Sequence, residues 1–435
     1  MEAKKEKKLI LWIALGACGA LIGLSKPTTA LLLGPTLIIF LVVFSHVSIR
    51  HFSIGAVTTF LLLYIFALII DGSFWEFLKR IRNGVEVITI RDAGYGLSDI
   101  TLRRFYSGGR ALIMFQNIFA GALVFALLVF SKTRNLLLNR LVLITSLLLL
   151  GILIFLTPDL PTFIFYGITM GALLAACFRL YSKNSEFEYP WRWLTLSILL
   201  LSIPPIYAFG TNNPLWSAAG VATYFSLLAA TVSFVMHFEA KDRLIMLRAL
   251  SFIFLLYTAN YLVISAGNPY RQTVALWNMD TKFNLNNGTS LIIEKSFAKY
   301  ANTYLQLANK HDFKTGQGII DFSGRSPTIA FVLNGINLGT PWMNGGYPSS
   351  TVSAARALDF VSCELLQSAW LITEPNGPRT LPVSAFRRHE IYLQDYTLVG
   401  AIEVPSRVSG YDLPSKQYFY RPNNQRKLRP CNSPN

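Results

Sequence analysis

Arg91, Asp92, Asp99, Arg103 and Arg104 fall within one turn-rich stretch whose glycines, Gly94 and Gly96, let a backbone approach a ligand closely. An arginine beside a carboxylate can keep it ionised for use as a base, and clustered guanidinium groups can hold an anion. Asp92 and Asp99 are therefore candidate catalytic bases, with the arginines as candidate anion ligands. Mutual pairing of these charges in a solvated loop is the plain alternative. A second stretch, Asp321-Phe322-Ser323-Gly324-Arg325-Ser326-Pro327, puts an acid at the end of an apolar run and a Ser-Pro start on the helical run after it. That arrangement can hold an anion or a sugar hydroxyl. A third, running from Gly339 to Pro348, sets Trp342 and Tyr347 among glycines, and aromatic faces are platforms for sugar rings or acyl chains. Asp321, Arg325, Trp342 and Tyr347 are the candidate acceptor or sugar contacts, against ordinary turn chemistry as the competing reading.

The elements that must position these groups follow from composition. With 52% hydrophobic and 14% charged residues, the chain is more apolar than an ordinary soluble domain. Between residues 9 and 265 the apolar residues gather into nine blocks: 9–24, 29–47, 54–70, 111–130, 136–156, 161–180, 193–209, 218–237 and 247–265. Each approaches the roughly 20 residues that a helix needs to cross about 30 Å of hydrocarbon. The first block carries no small-x-small cleavage site and is expected to remain in the mature protein.

Loops alternate in charge. Lys4, Lys5, Lys7 and Lys8 precede the first block, Arg50 and His51 follow the second, and Lys132 and Arg134 follow the fourth. Arg179, Lys183 and Arg192 follow the sixth, and Lys241, Arg243 and Arg248 the eighth. Cationic loops stay cytoplasmic, so the N-terminus is predicted inside and, after an odd number of crossings, residues 268–435 outside. The loop 71–110 then breaks the rule, because Lys79, Arg80, Arg82, Arg91, Arg103, Arg104 and Arg110 lie on the outer side. An anionic ligand at the outer membrane–water boundary accounts for them. Phe74, Leu78, Ile81 and Val85 recur at helical spacing and predict a short interfacial helix with cations on its other face.

After Gly267-Asn268-Pro269 the periodicity changes. Helices are expected over 294–310, from Pro327 with Ser326 as cap, over 351–359 and around 383–388. Strands are expected over 318–322, 370–373, 396–404 and 417–420. The alternation predicts a small α/β domain over 268–435 behind a transmembrane domain over 1–267. Cys363 and Cys431 lie in that domain, where an oxidising compartment would join them; two separate thiols are the alternative. No zinc spacing, phosphate-binding glycine loop, Gly-x-Ser-x-Gly elbow or internal repeat is present, and the five histidines are scattered. No metal or cofactor is expected. The net charge of +16 beside a bilayer points to anionic lipid or lipid-linked phosphate and not to nucleic acid.

The turn from Gly23 to Ala30 (Gly-Leu-Ser-Lys-Pro-Thr-Thr-Ala), the loop from Trp75 to Arg104 and the six further blocks before an α/β domain resemble the C-type integral membrane glycosyltransferases. That family includes protein mannosyltransferases and lipid A aminoarabinose transferases. The resemblance implies a polyprenyl-phosphate sugar as donor, with Lys26, Arg91, Arg103 and Arg104 holding its phosphate while the sugar departs. It also implies about four more N-terminal helices and an acid in the first outer loop, whereas the first outer turn here, Leu24-Ser25-Lys26-Pro27-Thr28, has no acid. A later start of this chain, loss of activity, or use of Asp92 or Asp99 as the substitute base would each explain the difference.

The expected function is sugar transfer to a lipid, glycan or protein acceptor at the outer face of a bacterial cytoplasmic membrane. A polysaccharide polymerase and an inactive membrane scaffold are the alternatives. A transporter would need charges or broken helices at mid-membrane, and the blocks offer only uncharged Gln116, Asn117 and Asn260 and the Pro204-Pro205 pair.

Overall fold

The structure, a computed structural model, describes residues 2–44, 48–90, 118–125, 128, 161–181, 190–209, 219, 222–237, 240–270, 272–285, 288–347, 349–406 and 415–423. The chain forms two compact units: residues 1–81 with 94–260, and residues 82–93 with 261–435. Helices α1 (Glu2–Ser25), α2 (Pro27–Phe44), α3 (Ile49–Asp71), α4 (Phe74–Ile90), α5 (Pro161–Tyr181), α6 (Pro190–Ala208), α7 (Thr223–His237) and α8 (Ala240–Gly267) come first. Among the described residues three stretches are helical, long and apolar enough to cross a membrane: Pro27–Phe44, Ile49–Asp71 and Leu250–Gly267. Leu9–Ser25, Gly167–Phe178 and Thr223–Met236 are shorter apolar helices. Of the nine expected crossings, 136–156 and most of 111–130 lie outside the described residues.

Small residues let these helices approach. A Cβ at Gly16 of α1 would stand 2.5 Å from the Gly55 carbonyl of α3, and the Thr59 hydroxyl donates to the Gly16 carbonyl at 2.9 Å. Likewise a Cβ at Gly171 of α5 would stand 2.2 Å from the carbonyl of Gly121, in the helical residues 118–125. Buried hydroxyls cross-link the rest, Thr169 donating to the Ser226 carbonyl at 2.8 Å and Ser197 to the Ala229 carbonyl at 3.3 Å. Close backbones and hydroxyl bonds are how helices associate where the surroundings are as apolar as their side chains.

The second unit opens with an antiparallel hairpin, β1 (Thr281–Asn284) and β2 (Ser290–Ile293), which packs on α9 (Lys295–Lys310). Next come β3 (Gly318–Asp321), α10 (Pro327–Val332), β4 (Ile336–Asn337), α11 (Ser350–Leu358), α12 (Cys363–Ser368), β5 (Trp370–Thr373), a 3-10 segment (Val383–His389), β6 (Tyr396–Val404) and β7 (Ser415–Pro422). The sheet order is β4-β3-β5-β7-β6, with β3 parallel to both neighbours and β7 antiparallel to β5 and β6.

Both faces of the sheet are covered. Ile319, Trp370, Ile372 and Phe419 pack with Tyr300, Tyr304 and Ile329 on the α9–α10 side, while Ile320, Leu371 and Phe322 pack with Leu358, Leu366 and Phe386 on the other. A strand buried on both faces reads as an unbroken apolar run, which is why β3 and β5 stand out in the sequence. One expectation needs correction. Ser326 occupies the position before α10, but its side chain makes no capping bond, because its hydroxyl is engaged in a buried network instead.

Candidate functional site

From β3 the chain passes through α10 to β4 on one side, then returns through α11 and α12 to β5 on the other side of β3. Helices cover opposite faces, so β3 and β5 flank a topological switch point. In open α/β sheets, ligands bind outside the carboxyl ends of strands at such a point. Asp321 ends β3, and Glu374 directly follows β5.

These two carboxylates organise the site differently. Asp321 folds the loop after β3: its Oδ1 accepts from the Ser323 amide at 2.9 Å and the Ser323 hydroxyl at 2.5 Å, and its Oδ2 accepts from the Ser326 amide at 2.9 Å. The anion position at the start of α10 is thus filled by the chain's own acid. Glu374 is fully buried; its Oε1 accepts from Arg325 Nη1 at 2.5 Å and its Oε2 from Gln417 Nε2 at 2.9 Å. Gln417 Nε2 also donates to the Ser326 hydroxyl at 2.8 Å, and its Oε1 accepts from the phenols of Tyr300 at 2.7 Å and Tyr304 at 2.8 Å. The Ser326 hydroxyl lies 2.8 Å from the Tyr300 oxygen, to which it can donate. Burial raises both phenols well above their ordinary range, so they act as donors only in the protonated form.

Burial also pushes the Asp321 carboxyl up to about 6, against the three donors that favour its charge. The folded value exceeds the unfolded one, so between about pH 4 and pH 6 the native state binds more protons and stability falls as pH rises, by about 3 kcal/mol in all. We expect wild type minus Asp321→Asn to show this decline in a denaturation series from pH 4 to pH 7. A difference that does not change across that window would refute it.

The two glycine-bearing stretches singled out in the sequence meet. Trp342 Nε1 donates to the Gly324 carbonyl at 2.8 Å, and the Gly345 amide donates to the Arg379 carbonyl at 2.8 Å. The guanidinium of Arg379 lies 4.6 Å from the centre of the Tyr347 ring. Gly324 has φ of +64°, and a Cβ there would stand 2.4 Å from the Arg379 carbonyl, so both conformation and space demand glycine. Asp321, Arg325, Trp342 and Tyr347 therefore belong to one neighbourhood, in which Asp321 and Arg325 are buried and Trp342 is exposed.

No protein family, curated protein or solved structure matches the chain.

Asp92, Asp99, Arg91, Arg103 and Arg104 lie outside the described residues. Lys26 is placed: its ammonium donates to the Tyr207 carbonyl and sits 4.3 Å from the centre of that residue's ring, tying the turn between α1 and α2 to the end of α6. Helix α4 starts just after α3, which ends at Gly72 in the left-handed conformation. Along α4, Trp75, Leu78 and Val85 are exposed, as an interfacial helix requires, while Phe77 and Val87 are buried. Its cations are not equivalent. Arg80 makes a bidentate pair with Asp71 at 2.7 and 3.0 Å, and Lys79 pairs with Glu76 at 3.4 Å. Arg82 has no ion-pair partner among the described residues.

Three groups escaped sequence reasoning. Glu374, Gln417 and the Tyr300–Tyr304 pair complete the network but carry no motif. The second half of α4 is held by Arg356 of α11, which donates to Glu86 at 2.7 Å, and by Ser353, which donates to the Val87 carbonyl at 2.8 Å. Asp359, Arg388 and His389 extend that cluster, with His389 Nε2 2.8 Å from Asp359 Oδ1. Cys363 is disulfide-bonded, while Cys18 and Cys177 are free; the expected partner, Cys431, lies outside the described residues.

Proposed function

We propose that the protein is a polytopic glycosyltransferase of a bacterial cytoplasmic membrane, moving a sugar from a polyprenyl-phosphate donor to a lipid, glycan or protein acceptor at the outer face. The observation that carries this reading is α4. A helix of membrane-crossing length turns at Gly72 into an amphipathic helix with exposed Trp75, Leu78 and Val85, and with Arg82 outside any ion pair among the described residues. Such a helix lies in a headgroup layer, where long basic side chains reach phosphate. In sequence its last residue, Ile90, is followed directly by Arg91 and Asp92, which supports a role for that basic, acid-bearing segment beside the same layer.

In this reading Arg91, Arg103, Arg104 and Lys26 hold the donor phosphate, and their retained positive charge stabilises it as the sugar–oxygen bond breaks. Asp92 or Asp99 takes the proton of the attacking acceptor hydroxyl. The disulfide at Cys363 supports an oxidising, extracytoplasmic setting for the α/β unit. The nine-crossing topology belongs to the same proposal.

The test uses the full chain in lipid nanodiscs with a panel of radiolabelled polyprenyl-phosphate sugars. Release of the sugar from its carrier is expected, falling about 10²-fold or more in Asp92→Asn while donor binding persists. If the wild-type chain neither binds nor cleaves any donor in the panel, the reading fails.

A further inference from the structure

Beside the buried network, a cavity of about 150 Å³ opens between the segment after α8 and the starts of α9 and α10. Tyr270, Gln272, Phe297, Tyr300, Ser326 and Thr328 line it, and Arg325 forms part of its wall. At roughly 30 Å³ per water the space would take about five waters, the scale of a single sugar ring.

Three features identify what fits. The lining is rich in hydroxyl and amide groups with aromatic rings beside them, the combination that suits a ring carrying several hydroxyls. Arg325, the one cation of the lining among the described residues, is already countered, since its Nη1 lies 2.5 Å from Glu374 Oε1, so an anionic ligand would gain little from it and would meet the buried carboxylates of Glu374 and Asp321 close behind the wall. Gln272 Oε1 is buried and meets no hydrogen-bond donor among the described residues, although a buried acceptor ordinarily has one. A hydroxyl of a bound ligand would supply it.

Position adds a constraint. Tyr270 follows Gly267 by three residues, so its Cα lies within about 11 Å of the end of Leu250–Gly267, a helix long and apolar enough to cross a membrane. Tyr270 and Thr328 are exposed, so the cavity has a mouth on the surface.

We propose that this cavity binds one neutral pyranose or polyol unit, presented by a lipid-linked molecule at the membrane surface. Its role as the acceptor subsite rests on the glycosyltransferase reading; the binding itself does not. Ser326 and Tyr300 meet the ligand from a ring of bonds that includes Gln417 and Glu374, so the hydroxyl positions are fixed before the ligand arrives.

Saturation-transfer NMR on the full chain in nanodiscs tests the assignment, with methyl hexopyranosides, inositol, glucuronate and glucose 1-phosphate as probes. A neutral pyranoside or inositol is expected to bind saturably with Kd of about 1–10 mM, the range open to a ligand of this size. Thr328→Trp, which fills the exposed mouth, and Gln272→Leu, which removes the waiting acceptor, should each weaken binding at least about fivefold. Retained thermal unfolding of both variants shows that the fold survives. No saturable binding of any neutral probe, equal binding by both variants, or tenfold tighter binding of an anionic probe would overturn the proposal. Because no donor or transfer enters the measurement, a failed transfer assay with intact pyranose binding removes the enzyme reading alone.

Discussion

Replacing Glu374 with Ala is expected to destabilise the α/β unit by about 3–5 kcal/mol and lower its unfolding midpoint by about 10 °C. The cause is not the loss of one favourable contact. Arg325 and Glu374 are both buried, and the carboxylate is the partner that makes the guanidinium tolerable there. Removing one member of a buried ion pair strands the other, which costs more than the pair contributes. Gln417 Nε2 loses an acceptor as well, although it keeps the Ser326 hydroxyl. Thermal unfolding of the full chain in nanodiscs, followed by its near-ultraviolet aromatic signal and compared with wild type, reads the change.

A control separates charge from shape. Replacing both partners, Arg325→Met with Glu374→Leu, removes the stranded ion and should recover about half of the loss, since apolar groups of similar volume substitute well for buried pairs. If the double variant unfolds as early as Glu374→Ala, packing around Glu374 carries the stability and the ion pair does not. The same comparison bears on why the network exists. The bonds through Arg325, Glu374, Gln417, Ser326 and Tyr300 lie at the carboxyl ends of β3 and β5, and the double variant shows how much of the stability there depends on charge.

How much of this was legible depended on how far apart in the chain the partners are. β5, expected over 370–373, is found at Trp370–Thr373, because burial on both faces demands a continuous apolar or β-branched run there; β6, found at Tyr396–Val404, is an edge strand that buries only Tyr396, Ile402 and Val404. α9 begins at Lys295, one residue after the expected start, since Glu294 takes the position before the helix. The hairpin β1–β2 has no clear sequence signal: in β1, exposed Lys282 and Asn284 alternate with half-buried Thr281 and buried Phe283, an alternation too short to distinguish from loop. Helix α4 runs to Ile90, beyond the residues that suggested it, despite Gly84 and the β-branched Val85, Val87, Ile88, Thr89 and Ile90, all poor helix formers. Tertiary contacts supply what propensity withholds, through Arg356 on Glu86 and Ser353 on the Val87 carbonyl.

For the site, the sequence singled out two glycine-bearing loops but could not show that Trp342 meets Gly324. Nor could it show that Glu374 answers Arg325, because a buried carboxylate that far along the chain has no local signature. Ser326 illustrates the point most directly. Its position before Pro327 signals a helix cap, yet its hydroxyl is claimed by Tyr300 and Gln417, both remote in sequence.

Replacing Arg103 and Arg104 together with Ala is expected to weaken binding of a polyprenyl-phosphate sugar by about 10²–10⁴-fold. Hydrogen bonds to a charged partner contribute about 1.5–3 kcal/mol each, and two arginines supply at least one apiece. Arginine is suited to the task because its planar fork meets two phosphate oxygens at once, so Arg103→Lys with Arg104→Lys should keep the charge but lose about tenfold. The contrast lies on α4. Arg80 is already bound by Asp71 through two bonds, and Lys79 faces Glu76, so alanine at both should change binding less than about threefold. Binding of the radiolabelled donor to nanodisc-held protein at two salt concentrations measures all three variants. Equal losses for the two alanine pairs would mean that the donor senses only the general positive field of the surface, and the assignment of Arg103 and Arg104 as phosphate ligands would fall. Loss confined to Arg103 and Arg104 would place the phosphate beyond the end of α4, where the same stretch offers Asp92 and Asp99 as bases.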